Sequence, residues 1–273
     1  MYLLARDYFT AFLDQTGGTL DRVTPNMLQD YVTWLSRKRL GASSIRQYTI
    51  GARRYMKWLR GLGYDATDSQ PALPQAKHHV PGILEPEELA AFLREVQEKV
   101  PDPYRTAISM LPFTGLRVGE VCTLRKENVV ARPSAGFAYL HISGKSKHDR
   151  DVPIMPAGLP VLVDYLTTKR REFPSNDWIF SSSLGNSLST RVVEQHTADA
   201  RRRLGIRHLT PHTLRHTYAT ELKRSGFSDI ELARILGHAN VNTTQIYVHT
   251  NVDDLFAGLA RVRNPLGTPP VRR

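Results

Sequence analysis

A mainly α-helical protein with a small β-sheet, divided into two domains, is what this sequence predicts, on three observations. Apolar residues recur at helical spacing along most of the 273 residues. The period changes to strand-like alternation between about 137 and 154, with a short third stretch near 178–180. A polar, irregular stretch between Gly63 and Gly82, carrying Pro71, Pro74 and Pro81, interrupts the helices as an interdomain linker does. A chain of this length buries a full core and holds one or two domains, since folding units run to about 100–200 residues.

Residues 1–66 are expected to form an all-helical unit. Its helices are Leu3–Leu13, a second with Thr24 as N-cap and Pro25 at the first helical position, and a third opened by Ser43 or Ser44. Projected at 100° per residue, the third places Ile45, Tyr48, Ala52, Tyr55, Met56, Leu59 and Leu62 on one face, and gathers Arg46, Arg53, Lys57 and Arg60 on another.

After a linker at 67–82, a larger α+β domain is expected over 83–263. Glu85-Pro86-Glu87-Glu88 opens a helix running to about Val100, with further helices at 103–112 and 117–127. Phe137–Ile142 and Asp151–Ile154 read as strands joined by the polar turn Gly144–Arg150, with a third strand at Trp178–Phe180. Helices then return at roughly 156–172, 189–204, 210–225, 228–236, 241–248 and 252–262. The stretch Asn264-Pro265-Leu266-Gly267-Thr268-Pro269-Pro270 cannot continue a helix, so 264–273 is read as a disordered basic tail.

Lys and Arg number 37 against 26 acidic residues, a net charge of +11. That balance favours a polyanionic partner such as nucleic acid. The charge is concentrated: from Tyr31 to Tyr64 there are eight Lys or Arg and no acidic residue, a face that a phosphate backbone would attract. A merely solvated basic helix face is the plainer alternative. No apolar run of about 20 residues and no lipidation signal point to a membrane, and Met1–Leu13 does not have the form of a secretory signal, so a cytoplasmic location is expected. The lone Cys122 sits among apolar neighbours and reads as buried packing, with no zinc framework to join.

Four segments carry chemistry: Thr114-Gly115-Leu116-Arg117-Val118-Gly119-Glu120, Gly144-Lys145-Ser146-Lys147, Pro211-His212-Thr213-Leu214-Arg215-His216, and Leu236-Gly237-His238 followed by Tyr247. Each alone has an ordinary reading: a surface arginine, a solvated turn lysine, a tyrosine packed in a core. Arg117 follows a turn into a helix start, where a guanidinium can meet a phosphate. His212 and Arg215, three residues apart, project from one side of a helix begun by Thr210-Pro211. His212 and His216 have zinc-like spacing, but a protease would need Glu where Thr213 stands, so no metal is expected.

Taken together and in order, two arginines, a lysine, histidines and a late tyrosine supply what phosphoryl transfer requires. Attack on a phosphodiester spreads negative charge over the non-bridging oxygens, which two arginines can clamp. A tyrosine hydroxyl, with a pKa near 10, becomes competent when cations surround it and a histidine accepts its proton. A lysine from the hairpin can protonate the leaving sugar oxygen. No step calls for a metal or other cofactor.

From the Thr-Gly-Leu-Arg box to the tyrosine, over about 110–250, these segments resemble the catalytic signature of the tyrosine recombinase, or phage integrase, family. The helical N-terminal region resembles the family's core-binding (SAM-like) domain less specifically. The resemblance implies that Arg117 and Arg215 bind the scissile phosphate, Lys145 acts as general acid with Lys147 as the alternative, and His212 assists proton transfer. His238 would hydrogen-bond the phosphate and Tyr247 would form a 3′-phosphotyrosyl link. Glu120 resembles an acidic position that supports the site, and an ordinary helix salt bridge also explains it. The resemblance further implies a clamp on double-stranded DNA with inverted-repeat core sites, and a homotetramer on DNA, or assembly with a related recombinase. The segment after Tyr247, with Leu255, Phe256, Leu259 and Val262, would dock on a neighbouring subunit or pack on its own domain. Since the first helix begins almost at Met1, no arm-binding domain is expected, which favours a simpler Xer-like, resolvase-like or transposon-borne enzyme, and the chain is read as the Xer-like two-domain type. Two rivals remain open here: a type IB topoisomerase-like DNA relaxation enzyme, and a non-catalytic DNA-binding protein of the same fold.

Overall fold

A computed structural model describes residues 2–19, 22–66, 69–75, 82–132, 137–143 and 149–237. The chain divides into two compact units, Met1–Val80 and Pro81–Arg273.

In the first unit, helices α1 (Tyr2–Thr16), α2 (Pro25–Arg37) and α3 (Ala42–Gly61) pack on one another. The Thr24 hydroxyl accepts the Met27 N–H at 3.3 Å and Pro25 takes the first helical position, as expected. The start of α3 differs from expectation. Gly41, in extended conformation, is the cap, and its carbonyl accepts the Ile45 N–H at 3.0 Å, so Ser43 and Ser44 fall inside the first turn. Phe9 and Phe12 of α1, Leu28, Tyr31 and Leu35 of α2, and Ile45, Ala52, Met56 and Leu59 of α3 form the core, with Tyr48 and Tyr55 half-buried against it. Leu62 is not part of that face: it lies past the helix end and is 58% exposed. Nor is the unit wholly helical, since β1 (Arg22–Val23) and β2 (Asp65–Ala66) form a short parallel pair. Two-residue pairings like this leave no periodic trace in a sequence.

The second unit is built around α5 (Tyr104–Thr114), every residue of which is buried from Thr106 to Thr114. A helix apolar all round needs neighbours on every side. These are α4 (Pro86–Lys99), α6 (Val118–Cys122), α7 (Gly158–Asp164), α8 (Thr190–Leu204) and α9 (Pro211–Arg224). Two of its buried hydroxyls are met close by: that of Thr106 donates to Asp102 at 2.7 Å and that of Thr114 to the Met110 carbonyl at 2.8 Å. Helix α10 (Asp229–Leu236) is opened by a reciprocal cap, Glu231 accepting from the Ser228 N–H at 2.7 Å while the Ser228 hydroxyl accepts from the Glu231 N–H at 3.3 Å. Cys122 is 1% exposed, and burial, then the charge of Glu194, pushes its thiol up to about 12, which leaves it unreactive.

An antiparallel sheet of order β3-β4-β5 joins Val129–Arg132, Phe137–Ile142 and Arg150–Pro153, pairing Val129 with Leu140 and Ile142 with Arg150. Three expectations are corrected here. The third strand is Val129–Arg132, whereas Trp178 forms only an isolated bridge with Arg125. The expected helix 117–127 ends at Cys122, and Lys126–Asn128 makes a 3₁₀ turn in which the Asn128 side chain accepts the Arg125 N–H at 2.7 Å. That side-chain bond offers the backbone an alternative to helix and frees the next four residues for the sheet. The expected helix 156–172 is likewise composite: α7 passes into a π turn at Tyr165–Lys169 and a 3₁₀ turn at Arg170–Glu172. The expected helices 241–248 and 252–262, and the tail, lie outside the described residues. Among the described residues no helix is long and apolar enough to cross a membrane.

Gly115 ends α5 in the left-handed region at φ 58°, and a Cβ there would lie 2.3 Å from Cδ1 of Tyr218. That ring cannot withdraw cheaply, because Tyr218 is fully buried and its hydroxyl donates to the Pro153 carbonyl at 2.9 Å. Gly115→Ala is therefore expected to lower the free energy of unfolding by about 3 kcal/mol, strain and overpacking combined. Urea denaturation measures it, and a loss under about 1 kcal/mol would show that the turn has more room than the geometry allows.

Candidate active site

The turn at Gly115 decides where Arg117 goes. Leu116 is buried, and Arg117 follows in extended conformation immediately before α6. Its backbone N–H donates to Oε2 of Glu120 at 2.8 Å and its Nη1 to Oε1 of the same carboxylate at 3.1 Å. Its Nη2 donates to the Gly237 carbonyl at 2.9 Å.

Arg215 arrives from α9, whose start is fixed by Thr210, its hydroxyl accepting the Thr213 N–H at 3.1 Å. The side chain is buried. Nη1 donates to the Gly115 carbonyl at 2.7 Å and Nη2 to the Leu236 carbonyl. A third guanidinium, that of Arg150 at the head of β5, donates from Nη2 to Glu120 Oε2 at 2.7 Å and from Nε to the Ile235 carbonyl at 2.9 Å.

Three arginines thus take the carbonyls of 235, 236 and 237 one after another. The last carbonyls of a helix have no partner within it and carry the negative end of its dipole, so cations belong there. Gly237 makes the approach possible. It caps α10 in the left-handed region at φ 65°, and a Cβ on it would stand 3.1 Å from Cδ of Arg150.

The electrostatics follow from the same contacts. Burial, then the charge of Arg117, pushes Arg215 down to about 10, leaving it protonated at neutral pH. Burial acts to raise the Glu120 carboxyl, but the bonds from Arg150 and from the Arg117 backbone, with the charges of both arginines, outweigh it and hold the carboxyl below its ordinary value. Three cations against one carboxylate leave this cluster with two positive charges in surplus. A phosphodiester under attack by a phenolate carries two negative charges, so the surplus complements the transition state better than the singly charged ground state.

Of the other expected residues, His212 is exposed on the first turn of α9, one turn ahead of Arg215, with its ring 5.8 Å from that of His216. Among the described residues no three His, Cys, Asp or Glu side chains gather as a metal site. Lys145, Lys147, His238 and Tyr247 lie outside the described residues. Arg46 and Lys57 are exposed and Arg53 and Arg60 half-buried on α3, in the first unit. Arg150 was not singled out from the sequence, where it reads as the end of a polar turn. Its inward position at the start of β5, alternating with half-buried Asp151, shows only in the folded strand.

Residues 83–253, more than half of the chain, match the phage integrase family. The chain belongs to that family. Residues 6–61 match the phage integrase N-terminal SAM-like domain. A tyrosine recombinase of Pseudothermotoga lettingae is 29% identical, over 93% of this chain and 87% of the relative. The tyrosine recombinase XerD of Caulobacter vibrioides is 28% identical, over 94% and 86%. Among solved structures, the XerH site-specific recombinase bound to a palindromic difH substrate, in a post-cleavage complex, superposes with a TM-score of 0.71 at 22% identity, over 95% of this chain and 78% of that one. The Tn1549 transposon integrase in complex with transposon right end DNA gives 0.65 at 19% identity, over 95% and 92%. Within the phage integrase family, this chain is a Xer-like two-domain tyrosine recombinase.

The position of Glu120 between two arginines makes a prediction about acid. Its folded carboxyl titrates below the unfolded one, so the stability it contributes is complete above the ordinary carboxylate pKa and drains as pH falls through the lower folded value. Glu120→Gln should cost about 3 kcal/mol at pH 7. The gap from wild type should close as pH is lowered below about 4. Denaturant unfolding at stepped pH tests this, and a gap constant down to acid would remove Glu120 from the clamp.

Proposed function

We propose that this site-specific recombinase cleaves and rejoins DNA through Tyr247, with Arg117 and Arg215 clamping the scissile phosphate. The observation that carries the reading is that these two arginines, from distant parts of the sequence, donate to neighbouring carbonyls, Gly237 and Leu236, in a cluster with surplus positive charge. His238 follows Gly237 directly in the chain, and Tyr247 comes ten residues after Gly237.

In this scheme the Tyr247 oxygen attacks phosphorus in line and the bond from phosphorus to the 5′-oxygen breaks. His212 assists removal of the phenol proton, and Lys145, or Lys147 beside it, protonates the departing 5′-oxygen. His238 adds a hydrogen bond to the phosphate. The 3′-phosphotyrosyl link keeps the energy of the phosphodiester, so a 5′-hydroxyl from the partner strand can attack it and reseal the duplex without an external energy source. Arg46, Arg53, Lys57 and Arg60 of α3 would meet the DNA backbone.

The same reading takes 1–66 as the core-binding domain, 67–82 as linker, 83–263 as the catalytic domain and 264–273 as the tail. It takes inverted-repeat core sites as substrate, a tetramer on paired sites as the working assembly, integration, excision or resolution as the outcome, and the cytoplasm as the location. The relatives described above are recombinases and integrases, which favours strand exchange over simple relaxation or passive DNA binding.

A nicked suicide duplex carrying the core site is expected to trap an SDS-resistant protein–DNA adduct in the absence of divalent metal. Tyr247→Phe should abolish the adduct while DNA affinity stays within about twofold, because one hydroxyl contributes little beside the many charged contacts that Lys and Arg make to phosphates. An adduct that persists in the Phe variant would show that another residue is the nucleophile.

A further inference from the structure

The scheme uses Arg117 and Arg215 and leaves the third guanidinium of the cluster without a task. Arg150 has a side chain only 6% exposed. Withdrawing such a charge from water is unfavourable unless its donors are well met. They are met in two directions, by the Glu120 carboxylate and by the Ile235 carbonyl. The carboxylate oxygen that Arg150 grips, Oε2, is the one that accepts the Arg117 backbone N–H, and Oε1 of the same group holds Arg117 Nη1.

Arg117, in contrast, has a side chain 46% exposed, and an exposed arginine on a flexible stem loses rotamer freedom to hold one orientation. Its geometry therefore depends on how rigid Glu120 is, and Glu120 is rigid because Arg150 is buried against it. Lysine could not replace Arg150, since one ammonium nitrogen cannot reach both a carboxylate and a carbonyl that the guanidinium meets from separate nitrogens.

We propose that Arg150 is a positioning residue for DNA cleavage, acting through Glu120 to hold the Arg117 guanidinium in the orientation that meets a non-bridging oxygen of the scissile phosphate. This rests on the reading of Arg117 as a phosphate ligand.

The test is single-turnover adduct formation on the suicide duplex, with DNA affinity and thermal unfolding followed in parallel, for wild type, R150K, R150M, R117A and the double variant R117A/R150M. R150M should bind the duplex nearly as wild type does but form the adduct about 10- to 100-fold more slowly, the range for losing a group that orients a ligand-binding side chain. R150K should fall between. The double variant should be no slower than R117A alone, because Arg150 has nothing left to orient. A duplex with a neutral methylphosphonate at the scissile position removes the charge that Arg117 answers, so the defects of R117A and R150M should shrink together on it. A purely structural role predicts the opposite, equal slowing on both duplexes, and that result or multiplicative losses in the double variant would overturn the proposal. If R150M unfolds, R150K carries the same comparison of the two duplexes. Wild-type rates in both Arg150 variants would sink this proposal alone, whereas a wild-type protein that forms no adduct would sink the catalytic reading with it.

Discussion

Three guanidinium groups meet at the end of one helix, two of them on a shared carboxylate, and the arrangement of the second unit serves that meeting. Arg117 comes from the turn after α5, Arg150 from the sheet and Arg215 from α9, and the carbonyls of Ile235, Leu236 and Gly237 receive one of them each. Like charges this close repel, and Glu120 together with the helix dipole makes the assembly tolerable. The residual positive charge is then available to an anion. Rigidity is supplied from behind, by the buried α5 and by Tyr218, whose ring lies against Gly115 and whose hydroxyl holds β5.

How much of this was legible in the sequence depended on whether a feature leaves a local mark. Thr24-Pro25 and Thr210-Pro211 state helix starts in two residues, and both were readable, as were the two longer-range strands around the hairpin. The Val129–Arg132 strand was hidden because the helical spacing continues past Cys122, where the helix ends, and the Asn128 side-chain bond that shapes the following 3₁₀ turn is a single-residue event. The start of α3 was misplaced because glycine can cap a helix with its backbone alone.

The site shows the same division. Arg117 and Arg215 were recognisable because each lies in a segment with its own character, and Glu120 was recognisable by its spacing from Arg117. Arg150 has no such marker. Its importance comes from partners 30 and 85 positions away in the chain, and only the folded structure brings those together. The α3 face was partly legible: its apolar stripe forms the core through Ile45, Ala52, Met56 and Leu59, while Leu62 fell outside because the helix stops at Gly61.

The lowered titration of Arg215 has a bearing on how acidity could influence the enzyme. A guanidinium pushed down to about 10 is still protonated by roughly a thousand to one at pH 7. The charge of Arg215 is therefore a permanent fixture across the physiological range, indifferent to proton supply. Within the cluster, sensitivity to acid therefore enters through the Glu120 carboxyl that neutralises its neighbours, and not through the Arg215 guanidinium.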